Sequence, residues 1–250
     1  MVDLEFDDGL AVITIDRPRA RNAISLETMD QLEKALDGAE GASALVITGA
    51  GDRAFVSGGD LKELSALRTE LEASGMASRM RTICDRIAGF PTPTIAALNG
   101  HALGGGAEFA VAADIRLAAD DIKIGFNQVS LGIMPAWGGA ERLAKVVGRG
   151  KALLAIATGE VYDAPAAQAL GLIDIVVPRA TFDDEWQALA GRLAATAPGT
   201  TRAVKSVIAP AVPSVHPELE ADATDAFARL WTADAHWAAV EALEQRRRPG

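Results

Sequence analysis

Gly100-His101-Ala102-Leu103-Gly104-Gly105-Gly106-Ala107-Glu108 is the stretch that decides the reading of this chain. An apolar run, Thr94–Leu98, leads into it and predicts a buried strand. An alanine-rich run, residues 109–113, leads out and predicts a helix. Three glycines therefore stand where a strand hands over to a helix. Glycine permits backbone conformations and close approaches that a Cβ forbids. A helix start presents unpaired N–H groups and the positive end of the helix dipole, which suits an anionic oxygen. Gly105 and Glu108 are three residues apart and share a face in a first helical turn. One backbone donor and one carboxylate would then face the same space, an arrangement fit for acid–base chemistry beside a forming oxyanion. The other reading is a flexible glycine turn with a solvated glutamate.

Working outward, a second stretch repeats the pattern. Ser57-Gly58-Gly59-Asp60-Leu61-Lys62-Glu63 puts two glycines before a helix start, and Asp60 with Glu63 has capping-box spacing. Upstream, Leu10–Ile15 predicts a strand, and Ser25 with Thr28 opens an amphipathic helix over 25–39 on Leu26, Met29, Leu32 and Leu36. Strands are predicted at 44–48, 55–56, 114–118, 123–126 and 172–177. Residues 65–80 are polar, hold Gly75 and read as a loop, with a helix following at 81–88. Residues 129–135 read as irregular, and helices follow at 139–147, closed by Gly148, and at 151–158 and Ala164–Leu170. From Phe182 the pattern is helical, over 182–196, 200–208 and 218–243, with a break near Ala233. Strands alternating with helices and then helices alone predict an α/β core, residues 1–190, with a helical C-terminal appendage, 191–250. Phe227, Trp231 and Trp237 give the appendage more apolar surface than it can hide alone, so it should pack on the core, a partner subunit or both.

With 250 residues, 49% of them apolar, the chain can build a sizeable core. No apolar run approaches the ~20 residues of a membrane span. The first residues are acidic and unlike a signal peptide, and Cys84 is the single cysteine; together these predict a cytoplasmic, reducing setting. A net charge of −10 argues against nucleic acid. Two local exceptions are Arg17-Pro18-Arg19-Ala20-Arg21 and Arg246-Arg247-Arg248. The first is read as an anion grip and the second as a solvated run. No His, Cys and carboxylate cluster has metal-ligand spacing, and no Ser–His–Asp constellation is evident.

Four stretches together resemble the crotonase, or enoyl-CoA hydratase/isomerase, superfamily: Asp16-Arg17-Pro18…Asn22-Ala23, residues 54–62, residues 99–108, and Leu131-Gly132…Pro135…Gly138-Gly139…Arg142-Leu143. They occur in family order and cover essentially the whole chain. The resemblance implies a superhelix of ββα turns, a homotrimer or dimer of trimers, and an acyl-CoA thioester substrate with no further cofactor. It implies that the N–H groups of Gly59 and Gly105 hold the thioester oxygen and stabilise an enolate, with Glu108 as the acid–base group. Arg21, Ala23 and Lys62 fall where the family grips coenzyme A, with Ser57, Asp60, Leu61, Pro135 and Trp137 placed around the substrate. Hydratases of this family carry a second glutamate seven residues before the proline of the Pro-x-x-Gly-Gly turn. Here that position is Gln128, and an amide orients water but transfers no proton at neutral pH. Trp137, where hydratases usually have a small residue, is similar to the ethylmalonyl-CoA and methylmalonyl-CoA decarboxylase branch. The expected activity is enoyl-CoA hydration. The alternatives are decarboxylation of a malonyl-type CoA, enoyl-CoA isomerisation, or a non-catalytic acyl-CoA-binding subunit. His101 is read as structural, and Asp114 and Arg116 are assigned no chemistry.

Overall fold

In the computed structural model, which describes residues 1–208 and 217–247, the strands sort into two sheets. A hairpin of β1 (Val2–Asp7) and β2 (Leu10–Ile15) comes first, followed by α1 (Leu26–Gly38). Ser25 Oγ accepts the Thr28 N–H and caps α1. From there one pattern recurs: a strand enters the large sheet, the next strand enters the small sheet, and helical structure returns. β3 (Ala44–Gly49) and β4 (Ala54–Val56) precede α2 (Leu61–Leu64) and α3 (Glu70–Ala88). β5 (Thr94–Leu98) and β6 (His101–Leu103) precede α4 (Gly105–Ala110). β7 (Ile115–Ala119) and β8 (Lys123–Gly125) precede a 3-10 turn (Asn127–Leu131) and α5 (Gly139–Val147). The chain continues through α6 (Arg149–Thr158), β9 (Val161–Asp163), α7 (Ala164–Leu170), β10 (Ile175–Val177), α8 (Phe182–Ala195), α9 (Pro198–Ile208), α10 (Pro217–Thr232) and α11 (Asp234–Arg247). The large sheet runs β1-β2-β3-β5-β7-β10 and the small one β4-β6-β8-β9; both are parallel except at β1–β2 and β8–β9. This is a superhelix of ββα turns, as the resemblance implied.

The central strands β3 and β5 are buried along their whole length, as parallel strands covered on both faces must be. One cover is α8, whose Phe182, Trp186 and Ala190 recur every fourth residue on its buried face. Small residues set the spacing at the start of α4. A Cβ on Gly106 would stand 1.7 Å from the Val56 carbonyl oxygen, so only glycine lets this helix begin against β4.

Several expectations need correction. Residues 65–80 are not a loop: Thr69 and Glu72 form a reciprocal capping box that opens α3, a single helix of 19 residues that carries Gly75 within it. Asp60 starts α2 without capping it, because its carboxylate pairs with Arg17 at 2.9 Å while Glu63 accepts the Leu26 N–H. The strand that meets the glycine turn is β6, in the small sheet, rather than β5. The helical region does break at Ala233, between α10 and α11.

Candidate active site

Glu108 sits on α4, 2% exposed, at the floor of a cavity of about 470 Å³. Four donors hold its carboxylate. Oε2 accepts the N–H groups of Trp137 at 2.7 Å and Gly139 at 3.1 Å. Oε1 accepts Ala136 N–H at 3.3 Å and the Gln128 amide at 2.9 Å. Three of these donors come from the turn into α5, with Gly139 its first residue, and an N–H pair at a helix start is a natural cradle for a carboxylate. Burial pushes the Glu108 pKa up to about 7, and the backbone N–H groups of Trp137, Gly139 and Ala136 and the Gln128 amide oppose that rise. The carboxyl is thereby poised to change its protonation state near neutrality. Gln128 is itself buried, and its Oε1 has no hydrogen-bond partner among the described residues.

The two glycine bends meet at the same cavity. A Cβ on Gly58 would be 3.4 Å from Gly105 N, so the bends touch. Gly105 is the first residue of α4, where an N–H has no acceptor within the helix. Around Gly59, the Gly58 carbonyl accepts Ile24 N–H at 2.9 Å and Asp60 N–H donates to the Ile24 carbonyl at 2.8 Å. Pairing of the two flanking peptides to Ile24 leaves the Gly59 amide for the other side, where Gly59 lines the cavity. The site thus offers two main-chain donors and one buried carboxyl.

Of the other residues singled out in the sequence, Arg21, Ser57, Leu61, Gln128 and Trp137 line this cavity. Ala23, Asp60, Lys62 and Pro135 do not. Ala23 is buried and its carbonyl accepts from Arg17; Lys62 is exposed; Pro135 is buried within the turn. The first arginine cluster therefore splits. Arg17 turns inward and ties Asp60 and Ala23 together, bracing the Gly59 bend, whereas Arg21 is exposed at the cavity mouth. The tail arginines also need correction: Arg246 of α11 lines the same cavity, and Arg248 lies outside the described residues.

Sequence reasoning assigned no role to Asn22, Arg142 or His236, and expected the 191–250 region to cover the site without saying which residues do so. Asn22, fully buried at φ +54°, accepts Arg17 N–H and donates to the Ala50 and Ala54 carbonyls, fixing the loop beneath Gly59. Arg142 donates to the Trp137 carbonyl at 2.8 Å and pairs with Asp85 of α3, clamping the Glu108 turn. Phe227 and Trp231 of α10 close the cavity from above, with Trp231 Nε1–H bonded to the Leu67 carbonyl at 2.8 Å. His236 Nδ1 lies 2.6 Å from the Leu131 carbonyl and ties α11 to the turn that carries Gln128. The aromatic content of the tail was the signal behind the expected cover; no local signal marked His236.

Residues 5–248 match the family described as enoyl-CoA hydratase/isomerase. The chain belongs to that family. A probable enoyl-CoA hydratase of Bacillus subtilis is 39% identical over 203 residues, spanning 80% of this chain and 78% of that protein. A crotonyl-CoA hydratase of Syntrophomonas wolfei is 37% identical over 193 residues, spanning 76% and 74%. Among solved structures, a carnitinyl-CoA hydratase from Mycobacterium avium superposes with a TM-score of 0.84 at 33% identity, covering 100% of this chain and 97% of the other. An enoyl-CoA hydratase from Bacillus anthracis gives 0.81 at 29% identity, covering 100% and 98%. Among the described residues, no helix is long and apolar enough to cross a membrane, and no group of three or more His, Cys, Asp and Glu is placed to hold a metal ion.

Proposed function

We propose that this protein is an enoyl-CoA hydratase in which Glu108 performs both proton transfers. The observation that carries the reading is the convergence of Gly59, Gly105 and the buried Glu108 on one cavity. The thioester oxygen of a 2-enoyl-CoA sits between the two glycine N–H groups. Glu108, as the carboxylate, takes a proton from water while the water oxygen bonds to the β-carbon. The displaced π electrons move to the thioester oxygen as an enolate, which the two amides stabilise. Losing one such donor typically costs ~3 kcal/mol in the transition state. The protonated Glu108 then returns its proton to the α-carbon. Gln128 Oε1, a buried acceptor with no partner among the described residues, orients the water through one O–H and takes no proton. Arg21 and Arg246 at the mouth suit the phosphates of coenzyme A, and no further cofactor is needed.

One observation favours a second reading. The amide of Gln128 stands 2.9 Å from Glu108, where a two-carboxylate hydratase would need a second carboxylate. Decarboxylation of a malonyl-type CoA needs no base: loss of CO2 leaves the enolate, and a single acid protonates carbon. A pure acyl-CoA binder, by contrast, has no use for a buried carboxyl with a pKa near 7.

The same reading makes the 191–250 region an active-site cover and an oligomerisation element of a trimer or dimer of trimers, supported by the exposed Val204, Val207 and Ile208 on α9. The deciding experiment assays crotonyl-CoA and methylmalonyl-CoA side by side with wild type and Glu108→Ala. Water addition to crotonyl-CoA that is lost in Glu108→Ala while acyl-CoA still binds supports the proposal. CO2 release without hydration selects the second reading, and turnover indifferent to Glu108 removes both.

A further inference from the structure

Trp137 acts twice. Its backbone N–H donates to Glu108, and its side chain, 5% exposed, lies across the two glycine bends. A Cβ on Gly105 would stand 2.5 Å from both Cη2 and Cζ3 of the indole, and a Cβ on Gly59 would stand 4.0 Å from Cζ2. The six-membered ring of the indole is therefore a wall immediately beside both amide donors. An acyl group whose oxygen sits between those amides has its first carbons against that wall.

The wall is fixed at its base. Three N–H groups of the turn are engaged by Glu108, and the Arg142 guanidinium holds the Trp137 carbonyl. Across the cavity, Trp231 is anchored through its indole N–H to Leu67. The full cavity, including the approach past Arg21 and Arg246, is only about 470 Å³. That is toward the small end for a ligand site, and part of it must hold the pantetheine arm of the substrate.

We propose that Trp137 is the specificity-determining residue of the site and restricts the acyl part to a short, unbranched chain. The inference rests on the acyl-CoA reading above. Each methylene that such a pocket admits or refuses changes selectivity by roughly 10-fold or more, so a rigid wall separates short from long chains steeply. Phenylalanine at this position would keep a smaller wall, and alanine would remove it.

The test is a binding titration with butyryl-, octanoyl- and decanoyl-CoA, saturated ligands that need no turnover, on wild type, Trp137→Phe and Trp137→Ala. It is paired with turnover of crotonyl-CoA and 2-decenoyl-CoA. Wild type should prefer butyryl- over decanoyl-CoA by ~10-fold or more. Trp137→Ala should shrink or invert that ratio by a similar factor, with Trp137→Phe between them. Equal wild-type affinity across chain lengths overturns the proposal and leaves the acyl-CoA reading standing. An unchanged ratio in a folded Trp137→Phe or Trp137→Ala does the same. Failure of every acyl-CoA to bind wild type overturns the acyl-CoA reading and the proposal with it.

Discussion

Replacing Gln128 by glutamate puts the mechanism under the most direct strain. In wild type the Gln128 amide donates to Glu108 Oε1 at 2.9 Å. In Gln128→Glu an acceptor takes the place of that donor. Two carboxylates at that separation repel by ~6 kcal/mol at an effective dielectric of about 20. That corresponds to ~4 pK units, enough for the pair to hold one proton at neutral pH and to titrate as a unit. One member is then acid while the other is base, and Glu108 no longer has to serve as both. General acid–base assistance is typically worth 10²- to 10⁴-fold, so we expect crotonyl-CoA hydration to rise by ~10-fold or more, read as loss of the enoyl thioester absorbance. The cost appears in stability. The folded pair holds a proton that the unfolded chain releases above the ordinary carboxyl pKa. Stability is therefore fully present below that pKa and declines as pH rises through the raised one. Thermal unfolding of the variant should fall further behind wild type with increasing pH. A folded variant that binds acyl-CoA but hydrates no faster would refute the claim that a missing second carboxylate limits the wild-type site.

Other consequences follow from the same geometry. Because Glu108 must start as the carboxylate and its pKa lies at about 7, wild-type kcat/KM should rise with pH through that value and level above it; a profile falling over the same range contradicts the base role. Gly105→Ala drives a Cβ to 2.5 Å from the Trp137 ring, which should lower kcat by ~10²-fold through the displaced amide and destabilise the fold by ~1–3 kcal/mol through overpacking. Asn22→Ala strips three hydrogen bonds beneath Gly59 and leaves alanine at φ +54°, so chemical denaturation should show a loss of ~2–4 kcal/mol; a change under ~0.5 kcal/mol would show that this loop holds itself without Asn22.

What the sequence disclosed depended on local signals. Ser25 and Gly148 announced the ends of α1 and α5 because capping is decided within a few residues. β3 and β5 were legible as short apolar runs between glycine and proline punctuation. α3 was legible only in its last turns, 81–88; its first half was not, because the buried Ala73 and Ala77 are small residues that give a weak periodic contrast and Gly75 reads as a breaker. β6 and β9, three residues each, are too short to show a period, and β1 has four of its six residues exposed and none buried. At the site, Glu108, Gly59, Gly105 and Gln128 stood out through glycine bends and spacing. The inward turn of Arg17, the brace by Asn22 and the cover by Trp231 arise from contacts between residues tens to more than a hundred positions apart, which local pattern does not encode. Asp60 shows the same limit, since its capping spacing is overridden by the pairing with Arg17.

The central claim is that two main-chain amides from separate bends grip one thioester oxygen beside a single buried acid. A crystal structure with bound butyryl-CoA tests it most directly. The account predicts the thioester oxygen within ~2.7–3.1 Å of both Gly59 N and Gly105 N, with the α-carbon facing Glu108 and the acyl chain against the Trp137 ring. An oxygen bound to neither amide, or an acyl group directed away from Glu108, would contradict it.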